Sequence, residues 1–311
     1  MKLYVRIILI LVISFLTLTL LNKAYQVGHT KFYQHETKRI TALLNKDVNY
    51  DMLFIGSSRM HVHYNIQIID SITKLTSYNF GVEGGNLLET NLWLQVYLQS
   101  HKAPKAIVLD IPVFAFDIEH RPFFNPTIYF PYLNNDIIYS TIAKYKKIGL
   151  YQYLPFLELM EVDDYNKFNA LKGLGGTKEE LASHFSYNGY ADNGDNILKP
   201  STNPPRDTTT YKITEAGINL FNAIIDSCLK KNIKLILSYS PEYFDTDYSN
   251  RKDFFSLINN AALKNNLPFF DFRNAPICHD STLFANPGHL NKYGADVFSR
   301  DIGRKIQQLV N

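Results

Sequence analysis

Short apolar segments alternate with longer amphipathic segments along most of this chain, and this alternation restricts the fold more than any other feature. The short segments are bounded by glycine or proline, and β-branched and aromatic residues are common in them, which is typical of buried strands. Gly56, Gly81 and Pro112 end the first three segments, and Pro241 follows the fourth. We predict strands at 52–55, 77–80, 106–111, 234–238 and 268–272.

Helical spacing of apolar residues separates these strands. The predicted helices are 87–99, 215–231, 254–265 and 293–310, with Thr214 as the N-cap of the second. Strands that alternate with helices form a mainly parallel sheet with helices on both faces. The sequence therefore predicts an α/β three-layer sandwich with a five-stranded, mainly parallel sheet of the flavodoxin-like kind.

The alternation breaks down between the third and fourth predicted strands. Residues 115–210 hold many of the tyrosines, phenylalanines, prolines and glycines of the chain, without a regular apolar period. We interpret this stretch as an aromatic-rich insertion, partly helical and partly loop, within a domain that covers 51–311.

The N-terminus carries an apolar segment without charge at 7–21, preceded by Lys2 and Arg6. This length lies between a signal-peptide core and a full membrane span. The small-residue pattern of a cleavage site is missing after it, which favours an uncleaved signal anchor at 1–24 over a cleaved signal peptide or a buried core helix. A connector at 25–50 would then join a single-pass anchor to an extracytoplasmic domain.

Composition excludes some classes of protein. The net charge is +3, from 32 Lys+Arg against 29 Asp+Glu, so a dedicated nucleic-acid binder is not expected. Cys228 and Cys278 suit an oxidising compartment, and the sequence leaves a disulfide between them open. His61 and His63 raise the idea of a metal, but no cysteine or carboxylate stands at ligand spacing. We predict neither a metal nor a cofactor.

Residues suited to acyl transfer follow the predicted strands, at the edge where open α/β sheets bind ligands. Ser58 follows the first strand, the glycine-rich segment 79–86 ends the second, and His289 lies after the fifth. A serine hydroxyl needs a base such as histidine to become a nucleophile, and glycine lets backbone N–H groups approach an oxyanion.

In order and spacing, the segments GSSR at 56–59, N-x-G-x-x-G at 79–84 and N-x-x-H-L-N at 286–291 resemble the blocks of the SGNH (GDSL-like) hydrolase superfamily, in its membrane-anchored extracytoplasmic form. The resemblance implies Ser58 as nucleophile and His289 as general base. It also implies the backbone N–H groups of Ser58 and Gly84 as the oxyanion hole.

Two positions depart from that family pattern. Asn286 replaces the usual aspartate, so the site is a Ser–His dyad oriented by Asn286, or another acid such as Asp280 acts, or catalysis is lost. The segment 112–114 stands where an oxyanion asparagine would follow the third strand. Further candidates for substrate or supporting contacts are Arg59, Asn86, Glu242 and Asn291. For Glu242, a salt bridge or an N-cap role is at least as strong an alternative, and Asn291 is expected to order the histidine loop.

The resemblance implies an extracytoplasmic acyl esterase or O-acyltransferase acting on ester groups, acetyl above all, of an envelope or exported polysaccharide. Its partners would be the membrane, through the N-terminal helix, and an acylated glycan or acyl donor. The alternative is a glycan-binding or assembly protein that keeps the fold without catalysis. The sequence does not determine the acyl group, the acceptor or the oligomeric state. It also does not decide whether the acyl group is hydrolysed or transferred.

Overall fold

A computed structural model of the protein describes residues 3–151, 154–178, 186–199, 210–243 and 249–310. The first residues of the predicted anchor and the parts of the predicted insertion at 152–153, 179–185 and 200–209 lie outside them. The strands are β1 (Met52–Gly56), β2 (Ser77–Gly81), β3 (Ala106–Asp110), β4 (Ser186–Tyr187), β5 (Tyr190–Ala191), β6 (Lys234–Tyr239), β7 (Phe269–Asp271), β8 (Phe284–Asn286) and β9 (His289–Leu290).

The helices cover most of the remaining described chain. They are α1 (Leu3–Phe32), α2 (Gln34–Leu44), α3 (Ser58–His63), α4 (Ile66–Thr73), α5 (Leu87–Ser100), α6 (Asp136–Ala143), α7 (Glu158–Glu161), α8 (Asp164–Leu174), α9 (Glu215–Lys230), α10 (Arg251–Lys264) and α11 (Lys292–Val310). Helix α10 begins one turn before the predicted start, because its first turn is polar and apolar spacing does not detect it.

The central sheet confirms the predicted fold class. Its five strands are all parallel and lie in the order β2-β1-β3-β6-β7. The order reverses direction between β1 and β3, and in open sheets this switch point opens a crevice beyond the carboxyl ends of the strands. Ser57 and Ser58 follow β1 there, and Asp110 ends β3.

Both faces of the sheet are covered, which explains why β1 and most of β3 carry consecutive apolar residues. Every residue of β1, β2 and β3 is buried. Alternate strand residues share one core cluster with Phe298 and Ile302 of α11, and these strand residues are Met52, Phe54, Ala106, Val108 and Ile236. The intervening residues point to the opposite face by the two-residue period of a strand. On the two faces, α4 packs against α11, and α5 packs against α9.

A short hairpin, β4–β5, lies against the edge strand β2. The carbonyl of Asn188 in its turn accepts the N–H of Asn79 at 2.8 Å, and the Asn188 amide donates to the Ser77 carbonyl at 3.1 Å. The hairpin therefore satisfies backbone groups that an uncovered edge would expose.

The chain divides into two compact units. One contains the described residues of Met1–Thr37 and Asn125–Ser183, and the other contains the central sheet. Within the first unit, α8 packs against α1, and Gln26 donates to Glu158 at 2.7 Å. The predicted limits of anchor, connector, domain and insertion remain predictions.

Of the described helices, α1 alone is long and apolar enough to cross a membrane, with a mean hydropathy of 2.4 over its most apolar window. That window is not buried, whereas the C-terminal part of α1 buries residues such as Tyr25 and Phe32. Helix α1 is therefore a candidate membrane span or signal anchor. The side of the membrane on which the sheet lies remains a prediction.

Both cysteines are buried free thiols, Cys228 in α9 and Cys278 in a short 3₁₀ turn. A disulfide between them, which the sequence left open, is not formed. Burial raises the pKa of the Cys228 thiol to about 12, so this group is a neutral core side chain rather than a reactive thiolate.

Replacing Thr214 by alanine should destabilise the protein. The Thr214 hydroxyl accepts the N–H of Gly217 at 3.1 Å and donates to the Phe116 carbonyl at 2.6 Å, so it caps α9 and ties it to the segment after β3. We expect Thr214→Ala to lower the free energy of unfolding by about 1 kcal/mol, measured by urea denaturation. Thr214→Ser keeps the hydroxyl and should retain most of that energy. Equal losses in the two variants would contradict a capping role.

Candidate active site

The turn after β1 presents Ser58 at the carboxyl edge of the sheet. Gly56 adopts a φ of +154°, and a Cβ there would lie 2.7 Å from the Asp110 carbonyl oxygen, so this position requires glycine. Ser57 is the N-cap of α3 and accepts the N–H of Arg59 on its hydroxyl at 3.3 Å. Ser58 is consequently the first residue of α3, where backbone N–H groups have no partner within the helix.

Ser58, His289 and Asn286 form a chain of hydrogen bonds. Ser58 Oγ lies 2.9 Å from His289 Nε2, and His289 Nδ1 lies 3.0 Å from Asn286 Oδ1. Because Asn286 Oδ1 also accepts the Gly288 N–H at 3.0 Å, the amide oxygen rather than the NH₂ group faces the ring. Nδ1 therefore carries the ring proton, and Nε2 offers its lone pair to the Ser58 hydroxyl. This is the tautomer that a general base requires.

Asn291 makes four hydrogen bonds beside the loop that carries His289. Its side-chain oxygen accepts the N–H groups of Tyr293 at 3.1 Å and Gly294 at 3.0 Å, which caps α11. Its amide donates to the carbonyls of Thr282 at 2.8 Å and Asn196 at 3.0 Å. Asn291 thus has a structural role beside the base.

The alternative acid Asp280 lies in its own turn. Its carboxylate accepts the N–H of Thr282 at 3.0 Å and the Thr282 hydroxyl at 2.6 Å. The ring nitrogen that would need an acid is bonded to Asn286 instead. The structure therefore places an amide, and not the carboxylate of Asp280, beside the His289 ring.

The environment of His289 favours the neutral ring. Loss of solvent contact in the site and the positive charge of Arg59 lower the pKa of His289 to about 4. The imidazole is therefore an unprotonated base across the physiological pH range. The same conditions make an imidazolium at this position less stable than it would be beside a carboxylate.

Arg59 and Glu242, both candidates for substrate or supporting contacts, form a buried ion pair. Arg59 is 2% exposed, and its Nη1 donates to Glu242 Oε1 at 2.6 Å. Arg59 Nε donates to the Ser240 hydroxyl at 3.0 Å, and Nη2 donates to the Ser240 carbonyl. The guanidinium carbon also lies 4.4 Å from the centroid of the Tyr239 ring. Through these contacts, Arg59 in the first turn of α3 is bonded to Ser240 and Glu242, which follow β6.

His63 belongs to the same network, a role that the sequence did not indicate. Its Nε2 accepts the N–H of Leu290, next to the base, at 3.0 Å, so its Nδ1 carries the proton and donates to the Ser240 hydroxyl at 3.0 Å. Ser240 in turn donates to Asp110 Oδ2 at 3.1 Å. Burial, with the nearby Arg59, holds the pKa of His63 well below its usual value. A neutral, buried His63 therefore holds the histidine loop against α3.

Two residues of this hydrogen-bond network, Asp110 and Ser240, could have been identified from their positions at the ends of strands. Asp110 ends β3 and Ser240 follows β6, at the same edge as Ser58. His63 ends α3 and Tyr64 follows it, so neither is marked by a strand end. Tyr64 nevertheless donates to Asp110 at 2.9 Å. The H-x-H spacing raised the idea of a metal, although we predicted none, and it did not indicate this contact. Within the described residues, no group of three metal-ligating side chains is found.

Gly84 and Asn86 lie in the loop between β2 and α5. The Gly85 N–H donates to the Val82 carbonyl at 2.9 Å, and Gly84 inside this turn has a φ of +59°. A Cβ at Gly84 would overlap the ring of Phe124. Asn86 caps α5 by accepting the Leu88 N–H at 2.8 Å, and its amide donates to the Arg121 carbonyl at 2.6 Å. Gly84 and Asn86 both line a cleft. Neither residue takes part in the hydrogen bonds that join Ser58, His289 and Asn286.

Neither a protein-family model nor a curated protein sequence matches the chain. Among solved structures, the crystal structure of an acetyl xylan esterase is similar to it, at 14% sequence identity and a TM-score of 0.41. The alignment covers 84% of this chain and 99% of that one. At this identity and TM-score the likeness carries no argument about fold, activity or substrate.

Proposed function

We propose that the protein is an SGNH-like serine acyl esterase or O-acyltransferase. The observation that carries the proposal is the 2.9 Å contact of Ser58 Oγ with His289 Nε2, on a ring whose other nitrogen is oriented by Asn286. A hydroxyl, a neutral imidazole and an orienting group in line are the arrangement that nucleophilic catalysis requires.

In the first half of the reaction, Ser58 Oγ attacks the ester carbonyl carbon while His289 Nε2 takes the hydroxyl proton. The N–H groups of Ser58 and Gly84 would bind the oxyanion of the tetrahedral intermediate. The intermediate collapses with cleavage of the ester C–O bond. His289 returns the proton to the leaving alcohol, and an acyl group remains on Ser58.

In the second half, His289 removes a proton from an acceptor hydroxyl that attacks the acyl-serine. Water as acceptor releases a carboxylic acid and makes the protein an esterase. A sugar hydroxyl as acceptor receives the acyl group and makes it an O-acyltransferase. In both cases Ser58 regains its proton from His289, so the cycle closes without a cofactor.

The proposed substrate is an ester, acetyl above all, on a polysaccharide of the cell envelope or one that is exported. The apolar helix α1 supports this location, because a membrane-anchored domain outside the cytoplasm meets such glycans. The family resemblance of the segments around Ser58, Gly84 and His289 supports the ester chemistry.

A second candidate is a glycan-binding or assembly protein that has lost catalysis. The observation that favours it is Asn286, because an amide orients the ring but cannot stabilise imidazolium by charge. This candidate predicts a folded protein whose Ser58 does not react as a nucleophile.

A fluorophosphonate probe distinguishes these two candidates in the detergent-solubilised full-length protein. If Ser58 is activated by His289, the probe should modify it with loss of fluoride. Ser58→Ala should abolish labelling and lower the hydrolysis of 4-nitrophenyl acetate by at least about a thousandfold. Ser71→Ala removes an exposed serine hydroxyl of α4 and should label as the wild type does. A folded wild-type protein that is not labelled would support the binding protein and reject the enzyme.

The pH profile tests the environment of the base. Since the pKa of His289 is lowered to about 4, the ring is neutral above that pH and protonated below it. The rate of fluorophosphonate labelling should therefore be constant from pH 6 to 8 and fall as the pH drops through about 4. Circular dichroism at each pH serves as the control for folding. A midpoint near the ordinary histidine value of about 6.5 would contradict this assignment.

Replacing Asn286 by aspartate tests the orienting group. A carboxylate 3.0 Å from Nδ1 would stabilise the imidazolium, so Asn286→Asp should raise turnover of 4-nitrophenyl acetate at least about tenfold. It should also move the midpoint of the pH profile to higher pH, because a negative charge raises the pKa of His289. Asn286→Ala, which removes the acceptor, should lower turnover. Unchanged turnover and midpoint in both variants would show that Asn286 does not act on the ring.

A further inference from the structure

A cleft of about 440 Å³ opens beside Gly84, and we call it the Gly84 cleft. Its lining residues are Gly84, Asn86, Phe114, Asp117, His120, Arg121 and Tyr211. The volume lies within the range of about 300–1,000 Å³ that small-molecule sites occupy. Because Gly84 is also the proposed oxyanion donor, a group in this cleft would be part of the molecule whose ester reacts at Ser58.

Two aromatic side chains form the apolar part of the wall. The ring centroids of Phe114 and Tyr211 lie 5.9 Å apart, with the planes inclined at 58°. Both side chains are half-buried, so each keeps a surface that a ligand can cover. Phe114 belongs to the segment after β3 that replaces the asparagine of the family pattern. A polar catalytic position of that pattern therefore carries an apolar stacking surface here, which suits the C–H face of a sugar ring.

Most polar side chains of the wall already have partners within it. Asp117 Oδ1 lies 2.7 Å from His120 Nδ1, and Asp117 Oδ2 accepts the N–H of Lys212 at 3.4 Å. Asn86 uses its oxygen to cap α5 and its amide to hold the Arg121 carbonyl. These contacts hold the Asp117 carboxylate against His120 and the Asn86 amide against the chain.

Arg121 has a different character. Its backbone is held by Asn86, while its exposed guanidinium lies 5.8 Å from the centroid of the Phe124 ring, the ring that covers Gly84. A guanidinium presents a rigid set of N–H donors that matches a carboxylate in two parallel hydrogen bonds. Its place beside aromatic rings gives the cleft one apolar surface and one cationic group.

We propose that the Gly84 cleft binds a uronic-acid residue of the glycan, with the sugar ring against Phe114 and Tyr211 and the carboxylate on Arg121. The inference rests on the proposed function and narrows its substrate to an acidic polysaccharide. The acylated sugar would lie at Ser58, and the uronate would be its neighbour along the chain.

Binding can be measured apart from catalysis in the full-length Ser58→Ala protein. The probes are trimers of galacturonate, mannuronate and glucuronate, and the methyl ester of each, which removes the charge and keeps the ring. Calorimetry should detect binding of at least one acid trimer, weakened about tenfold or more by esterification. Adding Arg121→Gln should weaken binding of that acid trimer by a similar factor. Adding Arg300→Gln, at an exposed arginine of α11 that does not line the cleft, should leave it unchanged.

Three outcomes would overturn the inference: no acid trimer binds, the methyl ester binds as tightly as the acid, or Arg121→Gln has no effect in a protein with unaltered thermal stability. Fluorophosphonate labelling of the wild type separates this failure from that of the proposed function. Labelling without binding rejects the uronate site alone. Binding without labelling rejects the enzyme and leaves the site as that of a glycan-binding protein.

Discussion

The burial of the Arg59 guanidinium is the constraint on which the carboxyl edge of the sheet depends. A cation that is 2% exposed is tolerated when its charge is paired and its N–H groups are hydrogen-bonded. Glu242 supplies the charge, Ser240 accepts two N–H groups, and the Tyr239 ring covers one face. Because these partners follow or end β6 while Arg59 follows β1, satisfying the cation fixes the relative position of two non-adjacent strands and of Ser58 beside it. Removing one partner of such a pair costs about 3–5 kcal/mol.

The same cation acts on the chemistry of the site. Burial and, after it, the charge of Arg59 lower the pKa of His289, and Asn286 brings no negative charge to offset this effect. As the base of the proposed reaction, His289 would therefore be well oriented but weak, and its orientation depends on neutral groups. His63 is one such neutral group, because its unprotonated Nε2 accepts the Leu290 N–H. The low pKa makes His289 a weaker base, but it also keeps the ring in one protonation state over the physiological pH range.

Local patterns in the sequence were sufficient to predict the fold class. Apolar runs that end at glycine or proline indicate buried parallel strands, and this signal does not depend on which strands pair with one another. Thr214 was predicted as a cap for the same reason, as its role depends on the next turn of α9 alone. The choice between Asn286 and Asp280 was not predictable, because it depends on which side chain the loop turns toward the ring. The contact of His63 with Leu290 joins positions 227 residues apart, so no periodicity reports it. The resemblance indicated which residues to compare, and the geometry indicated how they meet.

The hairpin turn at Asn188 has a consequence for the proposal that α1 anchors the chain in a membrane. Proteins confined to a surface encounter their own copies in a fixed orientation and at high local density. An open β2 edge, with its free N–H and C=O groups, would then be a template for pairing between neighbouring molecules. By occupying the Asn79 N–H and the Ser77 carbonyl, Asn188 removes that template from within the same chain. On the proposed membrane, crowding would thus bring copies together without pairing of their β2 edges.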